Sequence, residues 1–396
     1  MFIKKGVSLI SAPITHKLYR ESHLNYAIKT FKWKPFPKDD NRSLVLAMEW
    51  LKNAAEVTRW CGVSFGYSLR FGWGPPYPET TGYIIETLWD YYKLSEEGIW
   101  RELAIRLSEW ELGVQLHSGA FPAYLYPSNI PEVFNTGMVI FGLVKTYENT
   151  GEKRYLKSAR DAGNWLVSIQ ESNGQWIKCG SPYVRNPNKS YHARVSWGLL
   201  RLFQITSDER YMSTAIKNLD WVCSNAERNG FIRNMDFAND QKPLTHSMCY
   251  TYRGLFESGL ILNEKRYIDL AIYACKELLK SYARYGYLFC NYKQDWTPAN
   301  KYKGLVGSAQ FAQLFLRIYE YNGNREFYRA GCEILDFVKS YQPDNTQENG
   351  IKGGLAGSIP IYANYFPTTF LNFGAKFLAD AIMCKMNIEK RPLNTG

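Results

Sequence analysis

The apolar positions between residues 152 and 169 follow the period of an amphipathic helix. Counted from Tyr155, apolar or small side chains fall at steps of 4, 7, 10, 11 and 14, ending at Ile169. The opening of this helix, two charged residues followed by Arg and Tyr, recurs at Tyr211 and at Tyr267, each 56 residues after the one before. A fixed period of this size predicts a repeat architecture.

Each repeat has a second, mostly uncharged helix in front of the amphipathic one. These helices begin near residues 80, 135, 192, 246 and 305 and carry small residues close to their starts. Unpaired helices at 41–59 and 368–383 complete a set of twelve. The pattern predicts an all-α (α/α)6 toroid at 41–386 with the uncharged helices inside, an N-terminal extension at 1–40 and a tail at 387–396. An open helical solenoid is the alternative, although it would need capping repeats.

Charge and cysteine usage restrict the kind of partner. The net charge is +11, which favours an acidic oligo- or polysaccharide, and the scattered Lys and Arg residues indicate no nucleic-acid tail. The eight cysteines form no CxxC motif, so we expect no metal site and no cofactor. No stretch approaches the length of a membrane span, and the short apolar run near Pro13 lacks a cleavage site, so we expect a cytoplasmic protein.

Candidate functional residues gather in the long loops that precede the inner helices and in the first turns of those helices. His246, Tyr250 and Arg253 share one helix face, and histidine is the usual general acid or base. The predicted catalytic residues are His192, His246, Tyr250, Arg253 and Glu79. The predicted substrate-binding residues are Trp73, Tyr77, Glu86, Asn135, Arg185, Arg194, Trp197, Asp236, Tyr292, Trp296, Gln313 and Asn364.

Two kinds of chemistry fit these residue types. Elimination needs a base, an acid and a cation for a uronate carboxylate, which the histidines, Tyr250 and Arg253 would supply. Hydrolysis needs two carboxyl groups, for which Glu79, Glu86 and Asp236 are the candidates. A structural alternative for Glu86 is an ion pair with Arg253 across the ring.

Three segments carry a resemblance to a known family. The entry Trp73-Gly74-Pro75-Pro76-Tyr77-Pro78-Glu79 and the closing segments 353–360 and 372–377 resemble six-hairpin glycosidase-like proteins found with bacterial surface and capsular polysaccharide genes. The resemblance covers about residues 60–385 and implies a carbohydrate substrate. Members of the wider superfamily hydrolyse glycosides, cleave uronate polymers by elimination or epimerise sugars. The paired aspartates of unsaturated-uronyl hydrolases have no match in this sequence.

Together these observations predict an enzyme that cleaves a glycosidic bond in an acidic bacterial polysaccharide, by β-elimination or by hydrolysis. A sugar epimerase on the same toroid is one alternative. A non-catalytic glycan-binding or assembly protein of polysaccharide biosynthesis is the other.

Overall fold

The computed structural model describes residues 38–123, 125–363 and 365–390, and these residues contain twelve α-helices. The outer helices are α1 (Asp40–Glu56), α3 (Gly98–Val114), α5 (Lys153–Ser168), α7 (Glu209–Ser224), α9 (Lys265–Tyr285) and α11 (Arg325–Ser340). The inner helices are α2 (Pro78–Ser95), α4 (Val133–Thr150), α6 (Ala193–Thr206), α8 (Thr245–Leu262), α10 (Leu305–Asn322) and α12 (Asn372–Lys390). This arrangement confirms the predicted (α/α)6 toroid.

The ring is closed. Each inner helix packs against the next, and α12 packs against both α2 and α1. Strand β1 (Gly66–Ser68) pairs antiparallel with β2 (Gly72–Trp73) and with β7 (Thr369–Leu371), which joins the first loop of the ring to the last. The open solenoid is therefore not formed. Residues 1–37 of the predicted extension (1–40) and residues 391–396 of the predicted tail (387–396) lie outside the described residues.

Short strand pairs also shape the loops at the mouth of the ring. Strand β3 (Phe121–Pro122) pairs with β4 (Pro131–Glu132) directly before α4, and β5 (Lys303–Gly304) pairs with β6 (Ser358–Ile359) directly before α10. These pairs place the ends of the loops against the first turns of the inner helices. No helix in the described parts of the chain has the length and apolar character needed to cross a membrane.

Small residues near the starts of the inner helices let neighbouring helices approach closely. A Cβ atom on Gly82 would lie 2.5 Å from the Cα atom of Val139. A Cβ atom on Gly142 would lie 2.2 Å from the carbonyl oxygen of Gly82. Both distances are too short for a side chain, so close packing of α2 against α4 requires glycine at these positions.

The residues that recur every 56 positions make the same contact between successive outer helices. Tyr155, Tyr211 and Tyr267 are buried, and each hydroxyl donates to the outer helix before it. The acceptors are Glu109, Asn164 (3.1 Å) and Asp220, in that order. The Arg that precedes each Tyr reaches the same acceptor. The recurring Arg-Tyr motif therefore links the outer layer of helices around the ring.

Candidate active site at the mouth of the ring

The N-terminal ends of the six inner helices converge at one end of the toroid. The aromatic ring of Phe134 on α4 lies 6.4 Å from His192 before α6 and 5.1 Å from Tyr250 on α8, measured between centroids. His246 on α8 lies 5.2 Å from the ring of Phe373 on α12 and contacts α10 through Gln310. Tyr77, directly before α2, donates to the Asn135 side chain on α4 at 3.4 Å. These contacts bring the starts of the inner helices together at one end of the ring.

Glu79 occupies the first turn of α2 and faces this site. Burial raises the pKa of Glu79 to about 7, whereas a hydrogen bond from Tyr77 and the positive charge of Arg194 limit the rise. The helix N-terminus also favours the ionised form. Glu79 therefore changes its charge near neutral pH, as a general base requires.

Glu132, at the N-terminal end of α4, is a second acidic group that the sequence analysis missed. Its side chain is buried, and one carboxyl oxygen, Oε2, has no hydrogen-bond partner in the described residues. Burial and the negative charge of Glu79 raise the pKa of Glu132 to about 8, while Lys189 and Ser181 limit the rise. Glu132 is therefore mainly protonated at neutral pH.

Glu79 and Glu132 form an acid pair with two different protonation states. Tyr77 lies within the electrostatic influence of both carboxyl groups, as does Tyr191. Near neutral pH, Glu132 holds a proton while a large fraction of Glu79 has lost one. Two carboxyl groups whose environments separate their roles in this way can act as general acid and general base at one bond.

The two histidines of the site are neutral. Burial lowers the pKa of His246 to about 3, and its Nδ1 atom lies 2.8 Å from Oε1 of Gln310. Its ring lies 4.4 Å from that of Tyr250 and stacks on Phe373. Burial and the charge of Lys189 hold the pKa of His192 well below its usual range. Each imidazole can exchange hydrogen bonds, but neither supplies a positive charge, and the lowered pKa makes each a weak base.

Arg194 supplies positive charge to the site from a fully buried position. Its guanidinium group lies 5.0–5.9 Å from the centroids of five aromatic rings, and its Nε donates to the sulfur of Met138 at 3.2 Å. The rings belong to Tyr83, Phe141, Trp197, Tyr250 and Phe377. In the described residues no carboxylate pairs with it, so its charge is held mainly by aromatic faces.

Two buried hydroxyl groups complete the site. The hydroxyls of Tyr83 and Tyr250 interact with each other, and Tyr83 also interacts with the Glu79 carboxyl. Both tyrosines lie close enough to Glu79 for its charge to contribute to their raised pKa values. The cluster therefore places two further hydrogen-bonding groups beside Glu79.

Comparison with solved structures places this geometry on a known fold. The chain is similar to an unsaturated glucuronyl hydrolase specific for heparin, with a TM-score of 0.72, 15% identity, and 90% of this chain and 99% of that chain covered. It is also similar to cellobiose 2-epimerase from Bacillus thermoamylovorans, with a TM-score of 0.67 and 13% identity. That match covers 86% of this chain and 99% of the epimerase chain. The chain is similar as well to a D-mannose isomerase, with a TM-score of 0.69 and 14% identity, and the match covers 90% of this chain and 100% of that chain.

The chain has the (α/α)6 toroid fold of these structures. Identities this low establish the fold alone. No protein-family model matches the sequence, and no curated protein matches it significantly.

Several predicted residues meet at the mouth of this toroid, and others do not. Glu79, Tyr77, Asn135, His192, Arg194, His246 and Tyr250 converge there. Trp197 stands between Arg194 and Arg253, with its ring 5.2 and 5.1 Å from the two guanidinium groups. Asn364 lies outside the described residues.

The hypothetical ion pair between Glu86 and Arg253 is wrong. Glu86 pairs with Arg201 at 3.7 Å, and Arg253 pairs with Glu257 at 3.5 Å. Arg253 also donates to Gln313, and its partner Glu257 pairs in turn with Arg317. Arg253 and Gln313 therefore belong to one ion-pair network inside the ring. The error arose because the spacing of residues on one helix face does not show whether the counter-charge comes from the same helix, as for Arg253, or from another helix, as for Glu86.

The remaining predicted binding residues lie in the loops. Tyr292 is buried, and its hydroxyl accepts hydrogen bonds from the Ser281 hydroxyl and from the backbone amide of Phe289. Trp296 donates to the carbonyl of Asn229 at 3.0 Å, and Asp236 accepts from the backbone of Asp240 at 2.8 Å. These contacts shape the loops. Trp73 packs between Trp50 and Tyr67, and Arg185 is exposed.

A sequence signal for Glu132 does exist. The dipeptide Pro131-Glu132 stands shortly before Gly137, just as Pro78-Glu79 stands shortly before Gly82. An acidic residue directly before a helix is ordinarily interpreted as a cap, which is why it did not stand out. The repeated Pro-Glu pair on two neighbouring inner helices would have distinguished it.

Proposed function

We propose that this protein hydrolyses a glycosidic bond in an acidic bacterial oligo- or polysaccharide, with Glu79 and Glu132 as its two catalytic carboxyl groups. The observation that carries the proposal is the placement of two carboxyl groups, the buried Glu132 and the partly buried Glu79, at the starts of neighbouring inner helices and close enough for the charge of Glu79 to act on Glu132. Glycoside hydrolases use two such carboxyl groups, one protonated and acting as the acid, the other ionised. The structural similarity to a glucuronyl hydrolase supports the same class of reaction.

We assign the roles from the surroundings of the two groups. Glu132 is buried, with one carboxyl oxygen unpartnered in the described residues, and would donate its proton to the glycosidic oxygen as the bond to the anomeric carbon breaks. Glu79, whose ionised form is favoured by Tyr77 and Arg194, would take a proton from the water that adds to that carbon. One water is consumed, and a new reducing end appears. Arg194, next to Glu79, keeps part of that carboxyl ionised.

Product analysis tests the proposal. The purified protein is incubated with acidic bacterial polysaccharides and with their oligosaccharides, and both new reducing ends and ultraviolet absorption are followed. We expect reducing ends without ultraviolet absorption, and we expect Glu79→Gln and Glu132→Gln to lose activity by at least about a hundredfold. The control is Glu111→Gln, because Glu111 is also a buried glutamate with a raised pKa but lies on the outer helix α3.

Two outcomes would replace hydrolysis. Ultraviolet absorption would show the C4–C5 double bond of elimination and would move the chemistry to His246 and Tyr250. Binding of an acidic glycan with neither signal would favour the non-catalytic glycan-binding or assembly protein.

Epimerisation is a second candidate, favoured by one observation. His246 is neutral, with Nδ1 held by Oε1 of Gln310 and its ring packed against Tyr250, so its unprotonated Nε2 would be the base toward a sugar carbon, one that burial weakens. One structural neighbour is a cellobiose 2-epimerase. Incubation with reducing disaccharides in heavy water would insert deuterium at C2 if this reaction occurred, and His246→Phe would abolish the exchange. No exchange would exclude this candidate for the sugars tried.

A further inference from the structure

A buried lysine without a counter-ion lies beside the acid pair. Lys189, in the loop before the 3-10 turn Ser190–His192, has only 5% of its surface exposed. Within the described residues its ammonium group makes neither an ion pair nor a hydrogen bond, although the Glu132 charge acts on it. Buried lysine side chains are almost always paired, because removing their charge from water is costly.

The protein leaves room for this ammonium group. Gly180 lies directly against it, and a Cβ atom at that position would come within 2.2 Å of Nζ of Lys189. The backbone of Cys179 accepts a hydrogen bond from the amide of Val133 at 2.9 Å, which attaches this loop to the residue after Glu132. The loop therefore holds the ammonium group close to Glu132 but out of ion-pair contact with it.

Lys189 and Glu132 are not in ion-pair contact, and the raised pKa of Glu132 is consistent with this separation. A protonated carboxyl group offers no negative charge, so Lys189 stays without a counter-charge when Glu132 is ready to act as an acid. An ionised group of the substrate would supply that charge and would lie next to the bond that Glu132 protonates. A carboxylate accepts charge-assisted hydrogen bonds from an ammonium group, which are stronger than neutral ones.

We propose that Lys189 binds the carboxylate of a uronic acid residue in the substrate and thereby selects acidic sugars over neutral ones. This inference rests on the proposed function for the role of Glu132, but the binding itself does not require turnover. Arg194 is less suited to this task, because its guanidinium group is already enclosed by five aromatic rings.

Binding of glucuronate and of glucose to the full-length protein tests the inference by calorimetry, without turnover. Wild type is expected to bind glucuronate more tightly than glucose, and Lys189→Met to bind glucuronate about tenfold or more weakly with glucose unchanged. Gly180→Ala, which crowds the ammonium group but keeps its charge, is expected to weaken glucuronate binding alone. Lys303→Met is the control, since it removes a half-buried ammonium group that packs on Tyr287.

Equal weakening of both sugars, or no weakening of either by Lys189→Met, would overturn the inference. The pH profile of activity separates this role from a purely electrostatic one. Because Lys189 lowers the pKa of Glu132, its loss moves the alkaline limb upwards whichever role it has, whereas only a binding role changes the preference between the two sugars. Lys189-dependent glucuronate binding without hydrolysis would contradict the proposed function alone. Hydrolysis without that dependence would contradict the inference alone.

Discussion

The charge of Glu79 raises the pKa of Glu132, although the two residues stand at the starts of different inner helices. Neighbouring inner helices of the ring pack side by side, so residues 53 positions apart in the chain share one site. This relationship is the basis of the proposed chemistry, and it determines the pH dependence.

Activity should follow a narrow bell-shaped curve against pH. The Glu79 carboxyl, with its pKa raised to about 7, must be ionised, so kcat/KM rises as the pH passes that value. The Glu132 carboxyl, with its pKa raised to about 8, must be protonated, so kcat/KM falls above that value. Measurement of kcat/KM on an acidic oligosaccharide between pH 5 and pH 10 checks this. A flat profile across roughly pH 6–9 would contradict it.

Replacing Arg194 should move the acidic limb of that curve. Its positive charge lowers the pKa of Glu79, so Arg194→Met should raise that pKa and shift the acidic limb to higher pH. The matched control is Arg201→Met on the same helix, because Arg201 pairs with Glu86 and Glu148. An unchanged acidic limb in a folded Arg194→Met protein would show that this arginine does not act on Glu79.

The two tryptophans at equivalent positions of the outer helices should differ in their contribution to stability. Trp165 on α5 is buried, whereas Trp221 on α7 is only partly buried against the core. Trp165→Ala should lower the free energy of unfolding by about 3–5 kcal/mol, and Trp221→Ala by less. Denaturant unfolding of both variants measures the difference. A larger loss for Trp221→Ala would contradict the packing described for these helices.

Glu111 should make the protein less stable as the pH rises. Both of its carboxyl oxygens are buried without a partner in the described residues, and burial raises its pKa well above the usual value. The folded state therefore keeps a proton that the unfolded state releases above about pH 4.3, which costs up to about 1.4 kcal/mol per pH unit.

Glu111→Gln cannot ionise, so its melting temperature relative to wild type should increase steadily from pH 5 to pH 8. Thermal unfolding at several pH values measures this. A difference in melting temperature that stays constant with pH would show that Glu111 does not remain protonated in the folded state.

The repeat pattern predicted the helical architecture well, because it is a local property of the chain. The Tyr155, Tyr211 and Tyr267 motifs identified the outer helices, and the uncharged helices between them are the inner ones. Ring closure followed from the unpaired helices at the two ends.

The site was predicted less completely, since its chemistry depends on contacts between helices. Glu79 stood out at a helix start, but Glu132 resembled a cap, and Lys189 lies in a loop without periodicity. Arg253 was placed by its helix face, whereas its partner Glu257 is on the same helix and Gln313 comes from α10. Within the described residues, Glu132 is distinguished by its burial and its unpartnered oxygen, and Lys189 by its burial without an ion pair. Neither property can be read from the sequence, because both depend on how the inner helices and their loops pack together.

The division of roles between the two carboxyl groups is tested most directly with two substrates that differ only in the leaving group. A natural oligosaccharide needs a proton on its leaving oxygen, whereas a nitrophenyl glycoside of the same uronic acid does not. We expect Glu132→Gln to lose most of its activity on the oligosaccharide and little on the nitrophenyl glycoside, while Glu79→Gln loses activity on both. Equal losses by Glu132→Gln on the two substrates, or no loss on either, would contradict the role of Glu132 as the acid.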